Sequence, residues 1–144
     1  MVSFITLPRN MENSDFSLRE HYAKILELSP AWVVSGIDLD MERSKMTIRV
    51  TAKTGHLLPC PVCKKSCVFE DHREEREWRH LDTMQLQTVI ACSVPRISCP
   101  KHDVATADVP WAGKYSRFTL LFERFAVDVL KCAKSQKAAQ QLLR

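Results

Sequence analysis

The chain has 144 residues, of which 45% are apolar and 26% charged, the proportions of a folded globular protein rather than a disordered one. No stretch of about 18 apolar residues occurs, and the start, MVSFITLPRN, has no basic leader before a long apolar core; a membrane span and a secretory signal are not expected, and the cytoplasm is the expected compartment. The net charge of +4 is uneven: residues 1–59 balance to zero and residues 60–102 to +1, whereas residues 103–144 carry seven basic and four acidic side chains, so a phosphate partner is best accommodated at that end.

In chain order, a helix is predicted over Phe16 to Leu28, with Phe16, Tyr22, Ile25, Leu26 and Leu28 apolar, Ser17 as N-cap, Glu20 three residues later and Pro30 as the stop. Two strands follow. Val33, Ile37, Leu39 and Met41 are expected on one face, opposite Asp38 and Asp40. Met46, Ile48, Val50 and Ala52 alternate with Lys45, Thr47, Arg49 and Thr51, and Glu42-Arg43-Ser44 between the runs predicts a hairpin. Arg76 to Leu81 and Leu86 to Ile97 read as extended, turning near Asp82-Thr83-Met84. VPWA at 109–112 leads into a helix with an apolar stripe of Phe118, Leu121, Phe122, Phe125, Ala126, Val129 and Leu130, and Gln136 to Leu143 starts another.

The chemistry lies in the cysteines. Cys60-x2-Cys63 is followed, after 35 residues, by Cys99-x2-His102. Tetrahedral zinc takes four such ligands from two short turns, and Pro61 and Pro100, each after a leading cysteine, fix φ in a tight knuckle. One structural zinc per chain is expected on Cys60, Cys63, Cys99 and His102. A filled ligand set leaves no open position for water, so zinc or thiolate catalysis is not expected. Buried thiols with an incidental histidine, or a Cys60–Cys63 redox pair, are the alternatives, and Cys67 is a possible substitute for Cys63. Cys92 and Cys132 are expected to pack as small hydrophobes. His21 and His56 read as solvated. His72 and His80 flank the charged run DHREEREWRHLD at 71–82, expected to be a solvated, salt-bridged edge. Trp78 and Trp111 are expected to cover the knuckles, with base stacking as the other option.

Together these give an α+β fold in three parts: a helix and β-hairpin platform over 1–58, a small zinc-stabilised antiparallel β domain over 59–112, and C-terminal helices over 113–144.

CPVC, DHREEREWRHLD, VPRISCPKH, VPWA and SRFTLLFE, in that order, resemble the N-terminal region of insertion-sequence transposases of the ISL-three family, across about residues 20–144. The resemblance implies a zinc finger, then a helix-turn-helix region, then a ribonuclease-H-like catalytic domain, with recognition of the element's inverted terminal repeats. It carries the zinc over onto Cys60, Cys63, Cys99 and His102. No three acidic residues of this chain can be assigned as the catalytic triad, and the recognition helix is expected beyond Arg144, so the chain is expected not to be an enzyme. It is expected to meet double-stranded DNA through phosphate contacts from Lys101, Lys114, Arg117, Lys134 and Lys137, with a homo-oligomer as a further partner. The competing reading is a zinc-stabilised protein–protein interaction module for dimerisation or regulation.

Overall fold

In a computed structural model, the described residues are 9–143, with side chains from Ser17 onward; the expected place of Phe16 in the first apolar face and the end at Arg144 lie outside the described side chains. Helix α1 (Arg9–Ile25) is followed by strands β1 (Trp32–Asp40), β2 (Lys45–Ala52), β3 (Leu58–Pro59), β4 (Ser66–Arg79), β5 (Gln87–Cys99) and β6 (Asp103–Thr106), then helices α2 (Leu120–Cys132) and α3 (Gln136–Leu143). The architecture is mixed α+β.

Ser17 lies inside α1, so the expected N-cap is corrected: the apolar pattern begins after the helix does. Its end is a Schellman closure, in which Leu28 N–H reaches Ala23 C=O and Glu27 N–H reaches Lys24 C=O while Glu27 holds φ 53°.

One sheet runs β1-β2-β5-β4-β3, with β6 beside the second half of β5. Within 59–112 the pairings of β3 with β4, β4 with β5 and β5 with β6 are all antiparallel; the hairpin joins them through a parallel pairing of β2 with β5 over Lys45–Arg49 and Gln87–Ala91. The boundary expected at residue 58 therefore has β1 and β2 on one side and β5, the sheet neighbour of β2, on the other. Alternation in β2 buries Met46, Ile48 and Val50. In β1 the inward residues are Trp32 and Val34, not Val33; a register shift between Val34 and Gly36 flips the face, and Leu39 and Met41 are exposed.

Strands β4 and β5 turn at Met84 and Gln85, both at positive φ (48° and 69°), closed by reciprocal Thr83–Leu86 backbone bonds of 3.0 and 2.8 Å. The two positive φ values make this a primed two-residue hairpin. The charged run forms most of the long strand β4. On its outward side Glu75 pairs with Arg49 at 2.5 Å, Glu77 with Lys45 at 3.4 Å and Asp71 with Arg96; Arg49 also holds Asp38 at 2.7 Å.

The inward face is a core of Ile48, Val50, Ile90, Ile97 and three tryptophans. Trp111 stands edge-on to both Trp32 (5.1 Å, 79°) and Trp78 (5.4 Å, 82°). Trp78 and Trp111 are buried, which removes them as base-stacking platforms.

Candidate metal centre

The antiparallel pairing of β4 with β5 sets the start of one strand beside the end of the other, Val68 opposite Ser98. The turn between β3 and β4 and the turn between β5 and β6 therefore meet at one end of the sheet. Both are built alike. In the first, Cys60 N–H bonds Lys65 C=O and Lys64 N–H bonds Cys60 C=O, each at 2.9 Å, with Lys64 at φ 62°. In the second, Cys99 pairs with Asp103 at φ 56°. In each knuckle the fourth residue after the leading cysteine is left-handed, turning the chain sharply enough for the sulfurs to face one point.

The ligand atoms of Cys60, Cys63, Cys99 and His102 all lie within 4.8 Å of one another. Cys63 Sγ is 3.7 Å from Cys99 Sγ, and His102 Nδ1 is 3.7 Å from Cys60 Sγ and 3.6 Å from Cys99 Sγ. Tetrahedral zinc, with Zn–S of about 2.3 Å and Zn–N of about 2.05 Å, separates two sulfurs by about 3.8 Å and a sulfur from a nitrogen by about 3.6 Å. The observed spacings match, so the residues present fit the ion. The backbone N–H of Lys101 donates to Cys99 and, against the effect of burial, its thiol is held at about 6, which favours the thiolate a metal needs. Cys60 and Cys99 are buried, whereas Cys63 and His102 are exposed. The zinc of this ribbon is structural.

Cys67, also buried, points its Sγ to Lys65 C=O at 3.1 Å. Cys92 is a core thiol, pushed up to about 12 chiefly by burial. Cys132 is exposed, correcting the expectation that it packs, because the α2 face that carries it is uncovered. His21 and His56 are exposed, as is His72.

His80 is a correction. It is buried, not a solvated edge residue, and its Nδ1 lies 2.8 Å from Thr119 Oγ1. Thr119 is the N-cap of α2, its Oγ1 accepting the Phe122 N–H at 3.2 Å. The backbone beside them continues the contact: Arg79 N–H bonds Arg117 C=O and Thr119 N–H bonds Arg79 C=O, both 2.9 Å. The zinc hairpin thus carries the start of the helical region on the far end of β4. The sequence signal was faint, a threonine three residues before the Phe122 amide and a histidine at the end of a charged run.

In that helical region Phe122 is buried and stacks on Phe118 at 5.3 Å, but Leu121, Phe125 and Leu130 of the expected stripe are exposed. Ser135 Oγ caps α3 by accepting the Ala138 N–H at 3.1 Å. The five expected phosphate-contact residues are spread out rather than clustered: Lys101 in the second knuckle, Lys114 and Arg117 before α2, and Lys134 and Lys137 around the start of α3. All are exposed, and none is in an ion pair among the described residues. No helix among the described residues is long and apolar enough to cross a membrane.

Two family models match in tandem: the zinc-finger of transposase IS204/IS1001/IS1096/IS1165 over residues 57–102, and the helix-turn-helix domain of transposase family ISL3 over residues 107–143. The transposase for insertion sequence element IS1557 of Mycobacterium tuberculosis, from two strains, is 28% identical over 102 residues, covering 70% of this chain and 23% of that protein. The chain thus spans about a quarter of the length of the curated relatives it matches. No solved structure matches. With a zinc ribbon and a capped helical region of one family in consecutive order, joined through Thr119, the chain belongs to the ISL3 family of transposases, as its N-terminal zinc-ribbon and helix-turn-helix region.

Proposed function

We propose that the chain is a DNA-binding module that engages the terminal repeats of an insertion element, with Cys60, Cys63, Cys99 and His102 holding the zinc that rigidifies it. It binds without catalysing, works in the cytoplasm where such DNA lies, and divides its labour between a platform (1–58), a zinc ribbon (59–112) and helices (113–144). One contrast carries this reading. Lys45, Arg49 and Arg96 on the sheet face are neutralised by carboxylates, whereas Lys101, Lys114, Arg117, Lys134 and Lys137 are left unneutralised. A phosphate backbone supplies the anions that those five lack.

The test is a fluorescence titration of labelled duplexes, terminal-repeat and scrambled, at two salt concentrations. Binding with a dissociation constant of roughly 10⁻⁴ to 10⁻⁶ M and a steep salt dependence is expected. Replacing Lys114, Arg117, Lys134 and Lys137 together by Ala should weaken it for every sequence and flatten the salt slope. No binding at low salt would overturn the reading. The second reading, a homo-oligomerising or regulatory interaction module, is favoured by the exposed Leu121, Phe125 and Leu130 of α2; concentration-dependent self-association with salt-insensitive strength would support it.

A further inference from the structure

At the knuckle end of the sheet, at the opposite end of β4 from the start of α2, the loop after β2 and the first part of β4 enclose a small open cleft. It is lined by Lys53, Gly55, His56, Leu58, Phe69 and His72, with a volume of about 110 Å³. Binding pockets for drug-sized molecules run to about 300–1,000 Å³, so this one has room for a single planar ring and not for a cofactor. Its composition combines three features. Leu58 is buried, and Phe69 is a phenyl ring left 48% exposed, an apolar surface that water covers poorly. The rings of Phe69 and His72 lie 4.6 Å apart, tilted by 52°, and hold one another in place. Lys53 and His56 sit on the opposite lip, in a tight turn closed by His56 N–H to Lys53 C=O at 3.3 Å, with Gly55 at φ 83°.

The tautomer of His72 follows from its partner. Its Nδ1 lies 3.2 Å from Ser93 C=O, and a carbonyl only accepts, so Nδ1 carries the hydrogen. In the neutral ring Nε2 is then an acceptor with no partner among the described residues, suited to an exocyclic amine. Aromatic face, cation and amine acceptor are the elements by which proteins hold unpaired bases.

We propose that this cleft takes an unpaired DNA base, stacked on Phe69, with its amine on His72 Nε2 and its phosphate near Lys53. The proposal rests on the reading of the chain as a DNA-binding module and adds a second contact, to single-stranded DNA, at the opposite end of β4 from the start of α2. Adenine and cytosine carry such an amine and thymine does not, so A- and C-rich strands are preferred over T-rich ones.

The 144-residue chain, loaded with zinc, is titrated with labelled single strands of oligo(dC) and oligo(dT) and with a duplex of equal length. Phe69→Ala should weaken single-strand binding by about 5-fold to 150-fold, leave duplex binding unchanged, and be rescued by Phe69→Trp. His72→Ala should erase the preference for oligo(dC). Zinc content and far-ultraviolet circular dichroism identify any variant that fails to fold, and Phe69→Trp and His72→Ala then carry the test. Equal single-strand affinity of the parent and Phe69→Ala, or loss of duplex and single-strand binding in parallel, would overturn the proposal. Duplex binding without single-strand binding would overturn it while leaving the helical DNA contact standing, and an oligo(C) RNA strand bound more tightly than oligo(dC) would make the ligand RNA instead.

Discussion

Thr119 Oγ1 stands 2.8 Å from His80 Nδ1 and accepts the Phe122 N–H at 3.2 Å, so a single hydroxyl ties the last residues of β4 to the first turn of α2. With its acceptor role fulfilled by the amide, the hydroxyl can donate its hydrogen to Nδ1 of a neutral imidazole. The Arg79 guanidinium, 5.0 Å from the centre of the Phe122 ring and paired with Asp82 at 2.7 Å, covers the same joint.

Removing that hydroxyl should be costly. Thr119→Ala loses a helix cap, worth about 0.5–2 kcal/mol, and leaves a buried imidazole without its partner, about 1–3 kcal/mol more. We expect a loss of about 2–4 kcal/mol by urea denaturation, and recovery of most of it in Thr119→Ser. A change below about 0.5 kcal/mol would mean that the contact holds nothing in place.

The same joint predicts a pH response. Burial, and secondarily the charge of Arg79, hold the His80 imidazole below its ordinary 6.5. The unfolded chain therefore takes up a proton at a pH where the folded one does not. Its contribution to stability is complete above about pH 6.5 and is lost as the pH falls toward the lowered folded value. Because acid also loosens zinc ligands, the measurement is the stability difference between the parent and His80→Gln at saturating zinc. That difference should be constant above about pH 7 and shift against the parent below about pH 6.5; a pH-independent difference would refute the assignment.

Metal removal gives the largest effect. Structural zinc contributes about 10–16 kcal/mol of binding free energy, as much as a typical domain's whole stability of about 5–15 kcal/mol. Elemental analysis should find about one zinc per chain. Cys60→Ser and Cys99→Ser should lose it together with the cooperative unfolding transition, as should a strong chelator. Cys67→Ser, Cys92→Ser and Cys132→Ser should keep full occupancy. A folded, reduced, zinc-free protein would contradict the centre, and metal loss in the Cys67 variant would reassign a ligand.

The zinc group was legible because spacing is a property of sequence: two x2 pairs with a proline after each leading cysteine can form two turns of one shape. Strand β2 was legible because both its faces have a constant environment, core on one side and charge on the other. The face of β1 was misread because a bulge after Val34 adds one residue, and a single added residue exchanges inside for outside. His80 was misread because its neighbours in sequence, Arg79 and Asp82, are charged, while what buries it is 39 residues away. Nothing local marks the meeting of Trp32, Trp78 and Trp111 either; three separate elements bring them together.

The parallel pairing of β2 with β5 has a kinetic consequence. Lys45 and Gln87 are neighbours in the sheet but 42 residues apart in the chain. The β1–β2 hairpin can close from local contacts alone, within microseconds, and then has no strand beside its inner edge. Strand β5 can fill that place only once β4 has gone out and returned, and the loop-closure entropy of that excursion has to be overcome first. A zinc ion taken up before the sheet forms would shorten the search, because its ligands sit at the start of β4 and the end of β5. During synthesis Cys99 and His102 emerge after Cys60 and Cys63, so the clamp can close only once His102 has left the ribosome. Metal capture would then act on the order of folding as well as brace the folded state.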